Sequence, residues 1–468
     1  MASTNLEGYF NVKSFGATGN GTTNDSPNIQ KTIDEAVKAH GSGGGVVWFP
    51  PGTYLLGPGP RSDRGIHITA PVILAGAGAG TPFGNPPETD HITTAGSKFF
   101  VTDTRIVPIW ISGQGTVMRD LAMYHQQPDP QPGQKWEPWP YNAAIFAHAA
   151  DIRLENIFLR NPTIGVLCEN TGRLSINRLF GQPLQVGIQL DDLHDTIKID
   201  NIHFWRYWSM DSAVSDYLFE KAHAIKSYRN DNPLFSSIST IGYNTGFLFS
   251  KKENAPEGDI TSKFQIVNAD NDSGHRGIKI DGPLTTGNIL NYNFQGFKES
   301  ETGIHIQAPG AIVQATNVRI TLTGTNSIRV SGAGARLSLE NVWIQPWNQS
   351  GIGFPGIEAV EQGTVVSVGF NRVFTEKSDK LIGGDGTVAL VCLFYPESMV
   401  EYYLAFDWFA FSAGHNLYYF YMLDDKGDMK NEMSKSENPG TIIGGKGDYI
   451  AGRASLRAKA LERGCKRL

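Results

Sequence analysis

Ala144-Ile-Phe-Ala, Gly165-Val-Leu-Cys, Gly187-Ile-Gln-Leu, Ala224-Ile-Lys-Ser, Gly246-Phe-Leu-Phe, Gly277-Ile-Lys-Ile, Gly303-Ile-His-Ile and Ser327-Ile-Arg-Val repeat one phrase, a small residue followed by apolar-x-apolar. Successive copies lie 21, 22, 37, 22, 31, 26 and 24 residues apart. A second phrase, apolar-x-apolar-x-Asn-apolar, alternates with it. It is clearest at Ile152–Ile157, Ile197–Ile202 and Leu337–Val342, with weaker copies placing Arg178, Thr240, Asn268, Asn293 and Asn317 at the Asn position. Period-2 alternation over four to six residues is a strand signal, and the segments between copies are too short for crossover helices. Strands at this spacing describe an all-β solenoid, a coil of parallel strands stacked at about 4.8 Å per coil. Apolar positions fill the lumen, intervening positions face solvent, and the asparagines are expected to stack as a hydrogen-bonded ladder.

Composition agrees. The 468 residues suggest about three domains by length, yet 53 glycines and 25 prolines with only 18% charged residues imply short elements and many tight corners. The expected division is a cap at 1–60, the parallel β-helix at 61–395, and an aromatic-rich cap or oligomerisation segment at 396–468. Within the last, Tyr402–Phe411 and Leu417–Met422 read as strands and Arg453–Leu468 as a helix. The net charge of −6 without a basic block gives no footprint for nucleic acid. No apolar run reaches membrane-span length, and Met1–Phe10 does not read as a signal peptide. Cys168, Cys392 and Cys465 share no metal-type spacing and read as buried thiols. Neither a cofactor nor a metal is expected.

Before the repeats, Asp25-Ser26-Pro27 opens a helix whose stripe is Ile29, Ile33, Ala36 and Val37, ended by Gly41. Such a helix caps the open end of a solenoid. The glycine run Gly41–Gly45 follows a helix and precedes the strand Val46–Phe49, the reverse of a phosphate loop, and reads as a turn.

The opening Phe10-Asn-Val-Lys-Ser-Phe-Gly-Ala-Thr-Gly-Asn-Gly-Thr-Thr-Asn-Asp25, followed by the helix and Gly44-Gly-Val-Val-Trp-Phe-Pro-Pro-Gly-Thr-Tyr54, resembles the N-terminal cap of the pectate-lyase-like superfamily. That group of right-handed parallel β-helices includes polygalacturonase-related glycosidases, glucanases and phage tailspike depolymerases. The repeats carry the resemblance to about residue 370. It implies the fold and a carbohydrate substrate but no single reaction, because the group contains hydrolases, lyases, transferases and epimerases. Gly274-His275-Arg276-Gly277-Ile278-Lys279-Ile280 is similar to a polygalacturonase element, but Tyr243-Asn244-Thr245 stands where that branch has an aspartate pair, so its residues are not carried over. The lyase branch uses calcium on stacked aspartates. Here Asp281 and Lys279 face outward, but Ser250 and Gln307 complete no acidic ladder.

Irregular coil lengths point to the site, since extra residues in a solenoid become loops on a face. Two insertions fall at one corner. Tyr124–Asn142 holds His125, Asp129, Trp136, Glu137, Trp139 and Tyr141; Phe204–His223 holds Trp205, Arg206, Tyr207, Trp208, Asp211, Asp216, Tyr217 and Glu220. Two aromatic walls two or three coils apart predict a trench roughly 10–15 Å wide. Trp136, Trp139, Tyr141, Trp205 and Trp208 are the expected sugar platforms, with Arg206, Gln189 and His223 as polar binding groups. On the floor, parity turns Phe146, Leu167 and Gln189 outward, followed by His148, Glu169 and Asp191. Glu169 and Asp191 fall on adjacent coils, roughly 5 Å apart, the separation of a retaining glycosidase pair. The candidate acids and bases are Glu169, Asp191, Glu137, Asp211, Asp216 and Glu220.

Weaker clusters are Asp270, Asp272 and His275, and the corner residues Asp192, His194 and Asp195, which read as solvated. The expected function is a glycoside hydrolase acting on a polysaccharide. The alternatives are a lyase, with Arg206, Lys226 or Lys279 as base, and a tailspike-like glycan-binding protein without turnover. Residence outside the cell or on a virion, and a homotrimer, complete the expectation.

Overall fold

The computed structural model describes residues 8–39, 44–79, 96–256 and 258–360, and the backbone of short strands between 364 and 434. Nearly all described strands join one parallel sheet wound into a β-helix. Each regular coil contributes a short front strand, which carries the first phrase with its small residue at or near the strand's start, and a longer back strand carrying the second phrase. Front strands pair in order from Arg64–Ile68 through Val107–Ile111, Ala143–Ala147 and onward to Ile357–Ala359. In two coils the front and back strands run on as one, Ile164–Gly181 and Val186–Phe204. Their inward side chains stack coil on coil: Ile145, Val166, Ile188, Ile225 and Phe247 are register neighbours and are buried.

The small residue has a steric cause. A Cβ at Gly187 would lie 2.3 Å from Phe204 Cε2, and one at Gly277 would meet the Tyr292 hydroxyl and the Phe294 ring. At Gly187, Gly277 and Gly303 a side chain near the end of the same coil's back strand, Phe204, Phe294 or Ile320, crosses the lumen and fills the space above the small position, while Gly165 faces Leu159 of the preceding coil.

Each back strand is bent by one residue in the left-handed region. Register places Asp120, Asn156, Arg178, Asn201, Ser237, Asn268, Asn291, Asn317 and Asn341 opposite one another on successive coils, all at positive φ. Asparagine tolerates this conformation better than other non-glycine residues. The amides also bond along the axis, Asn291 to Asn268 at 2.9 Å, Asn317 to Asn291 at 3.0 Å and Asn341 to Asn317 at 2.6 Å. Two copies were misaligned by the sequence pattern: the bend falls on Ser237 and Asn291, not on Thr240 and Asn293.

The capping helix α1, Ser26–Ala39, lays buried Ile29, Ile33 and Ala36 over the first coil. Asp25 is fully buried, but its carboxylate turns back to accept from the Thr18 and Gly19 N–H groups at 2.7 and 3.0 Å. Asn24 supplies the oxygen for Ser26 N–H instead. A second helix, α2 (Ser212–Lys221), occupies the later insertion and is capped by Asp211, which accepts from Ala213 N–H at 2.8 Å. Cys168 is buried in the lumen with its thiol pKa pushed up by burial. Near the C-terminus Tyr418–Leu423 pairs antiparallel with Met429–Ser434. Gly41 to Gly43, Cys392, Tyr402–Phe411, Cys465 and the Arg453–Leu468 segment lie outside the described residues.

Candidate active site

Outward side chains of the front strands form two columns along the face. In the first, Phe146, Leu167, Gln189, Lys226, Leu248 and Lys279 are successive register neighbours. In the second, two residues on, Glu169 and Asp191 stand directly opposite on adjacent coils. The alternation read from the sequence thus does set these two carboxylates side by side.

Their common partner is a residue that the sequence reading did not select. Lys252 Nζ lies 3.1 Å from Glu169 Oε1 and is also in contact with Asp191 Oδ2. Asp191 is only 3% exposed, whereas Glu169 and Lys252 are partly open to solvent. A carboxylate this deep needs a charged partner, and Lys252 supplies it from the irregular segment that follows strand Thr245–Phe249. The signal was the 31-residue gap between Gly246 and Gly277, an insertion at the opposite end of the front strand from the two aromatic ones. Tyr228 lies beneath both lysines, with Lys226 Nζ 4.9 Å and Lys252 Nζ 6.0 Å from its ring centre. On the other side His148 Nδ1 lies 3.0 Å from the Glu169 carbonyl oxygen.

Beyond Gln189 the face becomes cationic. His223, at the start of strand His223–Ser227, has a buried Nδ1 without a hydrogen-bond partner. Its pKa is lowered to about 4, by burial first and then by the charges of Lys226, Lys279 and Arg276. Lys279 pairs with Asp281 at 3.2 Å.

The expected trench is not there. The rings of Trp136 and Trp208 lie 5.7 Å apart, and Trp136 meets Tyr217 edge-on at 5.6 Å. Both tryptophans are more than nine-tenths buried. Two insertions rising from the same corner reach each other, and their apolar rings bury one another in place of two separate walls. Tyr141 is buried against His125, and Trp205 packs on Tyr207. Trp139 alone among the five expected platforms is exposed, at 39%. Arg206 is half-buried in the second insertion. Glu137, Asp211, Asp216 and Glu220 are exposed on the insertions rather than on the front strands with Glu169 and Asp191. Asp211 spends its carboxylate on the α2 cap.

The weaker clusters lie elsewhere. Asp270 lies on a back strand with its pKa raised by burial and by Asp272, while His275 packs on Phe219. Asp192 pairs with His194 and Arg229, both at 3.3 Å, while Asp195 pairs with Arg173 at 3.4 Å. Among the described residues no three His, Cys, Asp or Glu side chains come together as a metal site, and no helix is long and apolar enough to cross a membrane.

Comparison with known proteins agrees with this architecture. Residues 9–204 match the family model described as rhamnogalacturonase A/epimerase, pectate lyase-like, so the resemblance read from the N-terminal cap holds over that stretch. Mannuronan C5-epimerase AlgE3 of Azotobacter vinelandii is 44% identical over 72 residues, 15% of this chain and 4% of that protein. Alginate lyase 7 of the same organism is 46% identical over 72 residues, 15% of this chain and 8% of its own length. The chain therefore matches only a small part of these relatives. Among solved structures, the catalytic domain of a GH87 alpha-1,3-glucanase in complex with nigerose has a TM-score of 0.53 at 11% identity, covering 84% of this chain and 69% of its own. That likeness is one of fold.

Proposed function

We propose that the protein is a carbohydrate-active enzyme that binds a polysaccharide along the front face and cleaves it, as a glycoside hydrolase using Glu169 and Asp191. The observation that carries this reading is the pairing of the two carboxylates on adjacent coils around Lys252. At about 4.8 Å per coil their separation suits a retaining mechanism, in which one carboxylate attacks the anomeric carbon and the other protonates the leaving oxygen. Asp191, buried and ion-paired, is the nucleophile. Glu169, more open to solvent, donates its proton to the departing sugar and then takes one from the water that releases the glycosyl–Asp191 ester. Lys252 turns from Asp191 to Glu169 as the ester forms, so that the charge it neutralises stays within its reach.

A second reading, a lyase or epimerase acting on a uronate chain, is favoured by Lys226, Arg276 and Lys279 farther along the face and by the matches to mannuronan epimerases and an alginate lyase. Lys226 and Lys279 are the bases available there. Either reaction places the enzyme where polysaccharide is met, outside the cell or on a virion.

The test is incubation with a panel of neutral and uronate polysaccharides, following new reducing ends, unsaturated products by ultraviolet absorbance, and sugar stereochemistry by NMR. Glu169→Gln and Asp191→Asn should each lose on the order of 10²–10⁴ in turnover. Wild-type rates in both variants overturn the assignment. An unsaturated or epimerised product selects the second reading.

A further inference from the structure

Four coils beyond Asp191, about 19 Å along the axis, the same face carries a second constellation. His305 lies on strand Thr302–Ile306, Glu301 immediately precedes that strand, and Ser331 follows strand Ile328–Val330 on the next coil. His305 Nε2 is 3.1 Å from Ser331 Oγ, and His305 Nδ1 is 3.5 Å from Glu301 Oε1. The other Glu301 oxygen is in contact with Arg276. The imidazole is 8% exposed, while Ser331 is half-buried. Lys279 and Arg329 hold the positions on either side of His305 in its column.

We infer that Ser331, His305 and Glu301 form an acyl-transfer relay that removes O-acyl esters from sugar hydroxyls of a glycan lying along the face. The arrangement is a hydroxyl nucleophile, a base on it, and a carboxylate behind the base, which is recognised by geometry and not by chain order. Glu301 is suited to orient the imidazole because it stays ionised. Burial alone raises its pKa, but the proximity of His305 and the charge and contact of Arg276 override this and lower it to about 2. At 3.5 Å from Glu301, the buried His305 Nδ1 makes no hydrogen bond, a separation of the kind that tightens when substrate binds.

The chemistry balances without a cofactor. Ser331 Oγ attacks the ester carbonyl carbon while its proton passes to His305 Nε2. The tetrahedral oxyanion forms beside Lys279 and Arg329. Its collapse breaks the bond to the sugar oxygen, which leaves as the hydroxyl by taking the proton from Nε2. Water then attacks acyl-Ser331, giving its proton to Nε2, and the carboxylic acid departs as Ser331 recovers its proton. The net reaction is ester plus water to acid plus alcohol.

The experiment uses the full chain with p-nitrophenyl acetate and with an O-acetylated polysaccharide, following nitrophenolate and free acetate. A fluorophosphonate probe read by peptide mass spectrometry reports whether Ser331 is nucleophilic. Acetate release and labelling at Ser331 are expected, with kcat falling on the order of 10³-fold or more in Ser331→Ala and His305→Gln. Glu301→Gln should lower kcat with little change in KM, and Glu301→Asp should recover part of it, as fits a positioning residue. Labelling of the unmodified protein does not depend on any variant folding. No acetate above the buffer blank together with no label on Ser331 overturns the relay, as does a Ser331→Ala variant that hydrolyses at the wild-type rate. Because p-nitrophenyl acetate has no glycosidic bond, failure here is separate from failure of the Glu169–Asp191 assignment.

Discussion

His125 is fully buried, packed edge-on against Tyr141 at 4.9 Å, with neither ring nitrogen hydrogen-bonded. Burial lowers its pKa to about 3, so it stays neutral in the folded chain at pH values where the unfolded chain protonates it. The unfolded state therefore binds more protons between about pH 6.5 and 3, and stability present above that window is lost as pH falls through it. For this one group the loss at pH 5 is about 2 kcal/mol. His125→Phe should remove that part of the slope, which thermal unfolding at pH 7.5 and 5 measures directly. The Lys252 ion pairs permit a second residue-scale prediction. Lys252→Met strands the buried Asp191, and should cost about 2 kcal/mol in denaturant unfolding. That is below the 3–5 kcal/mol of a fully buried pair, because the lysine is partly exposed. Glu169 and Asp191 were legible in the sequence because strand parity dictates direction and coil spacing dictates adjacency. Lys252 was not, since it comes from a segment with no period to read. Trp136 and Trp208 were misread for another reason: residue type does not tell whether a ring meets a sugar or another ring.

At the scale of the element, the two repeating phrases prove to have separate physical causes. The small residue leaves room for the side chain ending the back strand, and the asparagine takes the left-handed bend. At Gly187 an added side chain meets both the Phe204 ring and the Ala224 carbonyl oxygen, at 2.3 and 2.4 Å. Backbone cannot yield as a flexible side chain can, so Gly187→Val should lose about 3 kcal/mol, the upper end for overpacking, as a shift in urea midpoint at constant m-value. The bend can be dissected at Asn317, φ 55°. Asn317→Ala loses two ladder bonds and carries the left-handed penalty of roughly 1–2 kcal/mol, whereas Asn317→Gly loses the bonds alone. The glycine variant should therefore be the more stable, reversing the usual order of these two residues. Strand existence was readable because every coil repeats the same constraint. The bends at Ser237 and Asn291 were not placed, because nearby Thr240 and Asn293 imitate the pattern and only register distinguishes them.

At the scale of the molecule, each coil touches mainly its two neighbours, so stability adds along one axis. Thr286 is the register partner of Ile312, which makes residues 286–311 one complete turn of the solenoid. Deleting them joins Thr285 to Ile312 and brings Asn317 opposite Asn268. The shortened protein should retain its strand signature by circular dichroism and shrink by about 4.8 Å along its axis, measured by small-angle X-ray scattering. It should also lose any deacylation, since Glu301 and His305 go with the coil. The same continuity gives the amide ladder a chemical lifetime. Asparagines are among the thermolabile residues, and hydrolysis of one stacked amide to a carboxylate replaces a donor with a charge facing the oxygen of the next. Ageing at a single rung, Asn291, Asn317 or Asn341, thus sets neighbouring coils against each other, and the protein's shelf life is written in a row of side chains at the bends of the back strands.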